Sequence, residues 1–187
     1  MSNANDFAVA AQELADALYG AAVKRADALR LLSSLADFFP DEVTSTSVIG
    51  SAMAVMQDAT GELFRRAAIV ALARASAEYE PTSADDAAAV RQVVCGALDA
   101  EIISAGDQGQ DATFNALRAL RAAVSHDLAT RGAQLAGVAS VGSNLSMPAP
   151  VVAQRLYRNP VRSDELVSQA NPIHPAFMPT KFKALSS

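Results

Sequence analysis

The stretch EPTSADDAAAV, residues 80–90, contains the clearest helix start in the chain. Pro81 ends any helix that precedes it, and Thr82 or Ser83 can cap the helix that follows. Two aspartates come next and place negative charge at the positive end of the helix dipole. Apolar residues then recur at helical spacing up to the glycine turn AGDQGQD, residues 105–111, so a long helix is predicted between these two signals.

Three further segments carry the same spacing, at residues 5–39, 44–79 and 111–136. Pro40 ends the first, and Gly61 lies inside the second, where it permits a bend. The apolar stripe of the second segment, which we expect to face the core, comprises Ile49, Ala52, Met56, Ala59, Leu63, Ala67 and Val70. The chain is rich in alanine and has no tryptophan. These patterns predict an all-α fold, an antiparallel bundle of about four long helices.

The composition changes after the fourth predicted helix. Residues 137–149 contain small residues, glycines and a proline, which is typical of a linker. Residues 150–187 then predict two short helices and an irregular, proline-rich tail. We therefore expect a helical bundle at residues 5–136, a linker at 137–149 and a C-terminal docking segment at 150–187, with residues 1–4 as a cloning remnant of an excised domain.

The charge follows the same division. Residues 1–147 carry 10 Lys/Arg and 18 Asp/Glu, a balance of −8, whereas residues 148–187 carry 5 Lys/Arg and 2 Asp/Glu, a balance of +3. An acidic body repels the phosphate backbone, so nonspecific nucleic-acid binding by the body is not expected. The apolar runs are too short to cross a bilayer, and no contact with membranes is expected.

Residues that could perform catalysis or bind metal are scarce. Cys95 is the single cysteine and lies in an apolar helical setting, which favours a structural thiol. His126 and His174 are the two histidines and lie in different segments. Ser125, His126 and Asp127 cannot form a catalytic triad, because adjacent residues of a helix point in different directions. We expect no enzyme activity, no metal and no cofactor.

The segment from Pro150 onward, PVVAQRLYRNPVRSDELVSQANPIHPAFMP, resembles the C-terminal end of the DNA-circulation protein family of Mu-like bacteriophages and prophages. Thr180 and Lys181 stand where that family tends to place glycines, and the N-terminal domain of the family has no counterpart here. The matching residues are Ala153, Arg155, Leu156, Tyr157, Asp164, Glu165, Leu166, Val167, Asn171, Ile173, His174, Pro175, Phe177 and Pro179.

The resemblance implies a structural component of a contractile phage or prophage tail or baseplate. Such a protein acts through contacts with other tail or baseplate proteins, without catalysis, and is expected to be a homo-oligomer. It would reside in the virion tail, and in the host cytoplasm during assembly. Two alternatives stay open: a factor that circularises or protects phage DNA through the basic C-terminal segment, and a helical-bundle adaptor unrelated to phages.

The terminal stretch NPIHPAFMP, residues 171–179, is the predicted docking segment. Prolines restrict its conformations, so that apolar side chains can dock at a small entropic cost, and a basic rim surrounds them. The residues predicted to contact a partner are Arg155, Tyr157, Arg158, Ile173, His174, Phe177, Met178 and Phe182. The alternative is that the segment folds back and covers the core of its own domain.

Overall fold

The computed structural model describes residues 2–41 and 47–186. In these residues the chain forms seven α-helices and two short strands, so the fold is mostly helical, as predicted. The helices are α1 (Ser2–Ala21), α2 (Arg25–Ala36), α3 (Val48–Glu78), α4 (Ala84–Asp107), α5 (Asp111–Gly132), α6 (Ala149–Tyr157) and α7 (Ser163–Ala170), and the strands are β1 (Val138–Gly142) and β2 (Lys181–Leu185).

The chain divides into two compact units. The first comprises Met1–Glu80 and Ala88–Thr130, and the second comprises Pro81–Ala87 and Arg131–Ser187. The core of the first unit is built by α1 to α5 and consists mainly of Ala and Leu, with Leu32, Ile69, Leu72, Leu98 and Leu128 fully buried. The antiparallel arrangement of a bundle stays a prediction.

The prediction of one continuous helix over residues 5–39 is wrong. The chain leaves the helix after Ala21 and re-enters it at Arg25, with Val23 almost fully exposed in between. The Arg25 guanidinium stacks over the Tyr19 ring at 4.5 Å, across the break. On either side of the break, α1 and α2 each contact α3.

α3 is one continuous helix of 31 residues. The Ser47 side chain caps it by accepting a 3.0 Å hydrogen bond from the backbone N–H of Gly50, which confirms Ser47 among the predicted caps; residues 44–46 lie outside the described residues. Gly61 allows the Pro40 ring to approach the helix closely and does not serve as a bend. A Cβ at this position would lie 2.8 Å from Cδ of Pro40.

The predicted start of α4 is confirmed in detail. The Ser83 hydroxyl accepts a 3.1 Å hydrogen bond from the backbone N–H of Asp86, and the Asp86 carboxylate accepts a 2.9 Å hydrogen bond from the backbone N–H of Thr82. Cys95 is buried, as predicted. α5 ends at Gly132, four residues before the predicted end, and a Cβ at Gly132 would lie 2.8 Å from Cβ of Ala87.

The second unit contains the sheet. β1 pairs antiparallel with β2, with Val141 opposite Phe182. The prediction of a linker at 137–149 is therefore wrong for residues 138–142, and the end of the tail is a strand rather than irregular chain. Small residues alone favour a loop, but a paired strand about forty residues away supplies the hydrogen bonds that hold these residues extended. The core of this unit comprises Ala149, Val152, Ala153, Leu166, Met178, Phe182 and Ala184.

Candidate partner-docking surfaces

Prolines and two left-handed residues shape the C-terminal segment. Pro150 lies in the first turn of α6, where its missing N–H costs nothing. Arg158 ends α6 at φ 55°, and Asn171 ends α7 at φ 42°. The Asn159 side chain accepts a 3.0 Å hydrogen bond from the backbone N–H of Val161 and so starts the 3₁₀ turn Pro160–Arg162. These stops join the two short helices closely enough to contact each other.

A cluster of polar and aromatic side chains joins α6 to α7. The Arg162 guanidinium stacks over the Tyr157 ring at 3.9 Å and forms a 2.6 Å ion pair with Glu165. The hydrogen bonds from Arg162 lower the pKa of the Glu165 carboxyl, and burial, followed by the nearby Glu165 charge, raises the pKa of the Tyr157 phenol. Tyr157 packs against the small core, so its predicted role as a partner contact is limited to the exposed part of its ring.

Backbone hydrogen bonds hold the stretch NPIHPAFMP against the segment that precedes α6. The N–H of Ala149 donates to the carbonyl of Pro175 at 2.8 Å, and the N–H of Met178 donates to the carbonyl of Met147 at 3.0 Å. The Ser146 hydroxyl donates to the carbonyl of Met178 at 2.9 Å. The terminal stretch is thus fixed to the second unit at Pro175 and Met178.

Residues 173–177 form a tight turn, here named the exposed turn. The N–H of Phe177 donates to the carbonyl of His174 at 2.9 Å, and the N–H of Ala176 donates to Nδ1 of the His174 ring at 3.1 Å. Ile173 is fully exposed and Phe177 is 71% exposed, with its ring centroid 6.1 Å from that of His174. Two large apolar side chains therefore face solvent on a backbone that is already ordered.

The structure corrects the sequence analysis for two of the eight predicted contact residues. Met178 and Phe182 are buried in the core of the second unit, so they are not available to a partner. Phe182 is buried because β2 pairs with β1 and alternate residues of the strand turn inward. Met178 precedes the strand and is held by its backbone hydrogen bonds to Met147 and Ser146. For these two residues the alternative, that the tail covers its own core, describes the structure. Arg155 and Arg158 are exposed, as a basic rim requires.

Sequence reasoning missed a second surface, on the first half of α3. A groove of about 820 Å³ runs along this helix and is here named the α3 groove. Its lining includes Phe38, Val48, Ile49, Met53, Met56 and Phe64. Ile49 is 75% exposed and Met56 is 70% exposed, although both belong to the stripe that was predicted to face the core. Helical spacing identifies such a stripe but does not show whether another element covers it.

Residues that precede α3 in the chain contact the lining of the α3 groove. The Pro40 ring packs directly on Gly61, and the Gln57 side-chain amide donates to the carbonyl of Asp41 at 2.7 Å. The Phe7 ring meets the Phe64 ring edge to face, with centroids 6.1 Å apart. The floor is therefore held in place by contacts with the chain before α3, while the methionine side chains stay accessible.

The described part of the chain contains neither a candidate membrane-spanning helix nor a candidate metal-binding cluster. Among residues 2–41 and 47–186, no helix combines the length and the apolar character needed to span a bilayer. In the same residues, His, Cys, Asp and Glu side chains do not gather in groups of three that could hold a metal ion. Comparison with protein-family models and with curated proteins returns no match for this chain.

Proposed function

We propose that the protein is a structural component of a contractile phage or prophage tail or baseplate and that it acts by docking on neighbouring tail proteins, without catalysis. The observation that carries the proposal is the exposed turn. Ile173 and Phe177 face solvent, while their neighbour Met178 anchors the same stretch in the core. The resemblance of residues 150–179 to the DNA-circulation protein family supplies the class of assembly.

The build of the turn suits a docking contact better than a ligand pocket. Apolar anchors on an ordered backbone bind at a small cost in conformational entropy. Interface hot spots are centred on large side chains, often with arginine nearby, and Arg155 and Arg158 are exposed in the same unit. The turn offers surface to a partner rather than converging polar groups to a substrate.

Binding of DNA through the basic tail is less well supported. Arg162 is already paired with Glu165, and Lys183 lines the same cavity as Asp85 and Asp86. These carboxylates reduce the positive potential that a phosphate backbone would meet. DNA binding also leaves the exposed Ile173 and Phe177 without a role, whereas a docking role explains them.

The proposal is tested by assembly in cells that produce the intact particle. We expect antibody against this chain to label the distal end of purified tails in electron microscopy. A chain with Phe177→Asp should fold normally, because Phe177 is mostly exposed, and should be lost from purified particles.

Two matched variants make the result specific. Val161→Asp alters another exposed apolar residue of the same unit and should leave incorporation unchanged. Met178→Ala removes a buried side chain, so it should reduce the free energy of unfolding by about 2–5 kcal/mol. Particles that carry the Phe177→Asp chain at the normal level, or intact tails that never carry the protein, would refute the proposal.

A further inference from the structure

We infer that the exposed turn of one copy of this chain docks in the α3 groove of a second copy. The inference rests on the proposed docking role of the turn and names its receiving surface. Both surfaces occur on every chain, and each leaves large apolar side chains in water. When such a contact repeats head to tail, it is heterologous and builds a ring or an open array.

The α3 groove exposes a sizeable apolar area. Full burial of a large apolar side chain, such as those that line the groove, contributes about 1.5–3 kcal/mol of stabilising free energy, at about 25 cal/mol per Å² of apolar surface removed from water. The exposed parts of Phe38, Val48, Ile49, Met53 and Met56 then amount to of the order of 300 Å² of apolar surface. Patches of this size on a soluble protein commonly mark interaction sites.

The charge of the chain around the α3 groove indicates which kind of partner fits it. The sequence of residues 31–64 has five carboxylates and no Lys, Arg or His. Those carboxylates belong to Asp37, Asp41, Glu42, Asp58 and Glu62. The described residues that line the groove itself are uncharged, so the groove is an apolar surface in an acidic stretch of chain. A partner that combines apolar anchors with positive charge fits it best.

The C-terminal segment has that combination. Residues 148–187 carry 5 Lys/Arg and 2 Asp/Glu, a balance of +3, and one of the two carboxylates, that of Glu165, is paired with Arg162. The exposed turn, with Ile173 and Phe177, lies within this basic segment. Its two apolar side chains can enter the groove while the surrounding cations face the acidic residues of the other copy.

The opposite arrangement, groove against groove, is disfavoured by the same charges. A symmetric pair would bring exposed carboxylates beside the groove, such as that of Asp58 next to the groove residue Gln57, from both copies toward one interface. Like charges that face each other across an interface cost binding energy. The turn-to-groove contact instead joins a surface of each sign, so its affinity should fall as salt is added.

The test uses two variants that block one surface each. Met56→Glu introduces charge into the groove, and Phe177→Asp introduces charge into the turn, both at positions that are mostly exposed. In sedimentation velocity over a concentration series, the wild-type chain should self-associate, and each variant should weaken this by at least about tenfold, as for loss of a central anchor. Ile103→Glu, at another exposed apolar position of the first unit, is the matched control and should not change it.

Mixing the two blocked chains distinguishes a turn-to-groove contact from other modes of association. In the mixture, the Met56→Glu chain keeps its turn intact and the Phe177→Asp chain keeps its groove intact. A 1:1 complex should therefore form and grow no further. Two blocked surfaces cannot pair, because both carry added negative charge. Circular dichroism of each variant checks that the fold is retained.

Three results would overturn the inference: a wild-type chain that stays monomeric throughout the series, association that is lost with Met56→Glu but kept with Phe177→Asp, and a mixture that forms no complex. Failure of the inference and failure of the proposed function give different outcomes. A monomeric chain that still requires Phe177 to enter particles would leave the proposed function standing. Self-association of a chain that is absent from tails would support the inference and refute the proposed function.

Discussion

The two halves of α3 have similar apolar content but different surroundings. In the second half, Ala68 and Leu72 are fully buried among the other helices of the first unit. In the first half, Ile49 and Met56 are mostly exposed along the α3 groove. The helix itself is continuous between them. The difference shows that an apolar stripe can serve the core along one part of a helix and a partner along another.

Side-chain size is what separates the two halves. The buried half is dominated by alanines, which let neighbouring helices approach closely, whereas the exposed half carries isoleucine, valine and methionine. Methionine is flexible and polarisable and is frequent at surfaces that bind partners. Arg65 and Arg66 mark the boundary, where both guanidinium groups pair with the buried carboxylate of Glu101.

The largest expected effect contrasts a side chain from each half. Leu72→Ala should lower the free energy of unfolding by about 2–5 kcal/mol, because it opens a cavity in the core. Met53→Ala should change it by no more than about 0.5 kcal/mol, because Met53 is mostly exposed. Urea denaturation followed by circular dichroism measures both. Equal losses for the two variants would mean that the first half of α3 is covered in the isolated chain.

The next effect concerns the charged boundary between the halves. The Glu101 side chain is 3% exposed and lies 2.6 Å from Nε of Arg66 and 3.5 Å from Nε of Arg65. Glu101→Gln should destabilise the chain by about 3 kcal/mol, because it leaves two arginines without their buried counter-charge. Thermal or urea unfolding would show the loss. A change below about 1 kcal/mol would mean that water reaches this cluster and screens it.

A smaller effect tests the packing that bounds the α3 groove. Gly61→Ala should destabilise by about 1–2 kcal/mol, because the added methyl group would lie 2.8 Å from Pro40. Gly96→Ala is the matched control in α4. No atom lies within 4 Å of a Cβ there, so alanine should stabilise the helix by about 0.5–1 kcal/mol. Two changes of the same sign in urea unfolding would show that Pro40 does not rest on Gly61.

The smallest effect is expected in the second unit, at the Arg162–Glu165 pair. Hydrogen bonds from Arg162 lower the pKa of Glu165, so this pair stabilises the fold above the pKa that the carboxyl has in the unfolded chain. The contribution is lost as the pH falls through the lowered pKa in the folded chain. Arg162→Gln should raise the pKa of Glu165 toward its ordinary value in an NMR titration. An unchanged pKa would mean that Arg162 does not interact with the Glu165 carboxyl in solution.

The sequence was sufficient for the helical class and for the start of α4, since local signals such as Ser83 and Asp86 act within one turn. It was insufficient where distant contacts decide. The break before Arg25 has no proline to announce it, and the partner of β1 lies about forty residues away. The alternation of residues 181–185, with lysines exposed and Phe182 and Ala184 buried, is a strand signal that could have been recognised.

The candidate surfaces were predictable to a similar degree. Proline-rich composition located the exposed turn, and the apolar stripe of α3 contained the groove residues. The inward or outward position of Met178, Phe177, Ile49 and Met56 depends on what packs against each of them. Spacing along the chain carries no such information, because burial results from the whole fold.

Photo-crosslinking from position 177 in assembled particles tests directly whether the exposed turn contacts a neighbouring tail protein. A photoreactive phenylalanine analogue would replace Phe177, and a second chain would carry it at the exposed position 161 as a control. We expect an adduct between position 177 and a neighbouring protein chain of the tail, and none from position 161. Adducts to nucleic acid, or no intermolecular adduct from position 177, would contradict a docking role for the exposed turn.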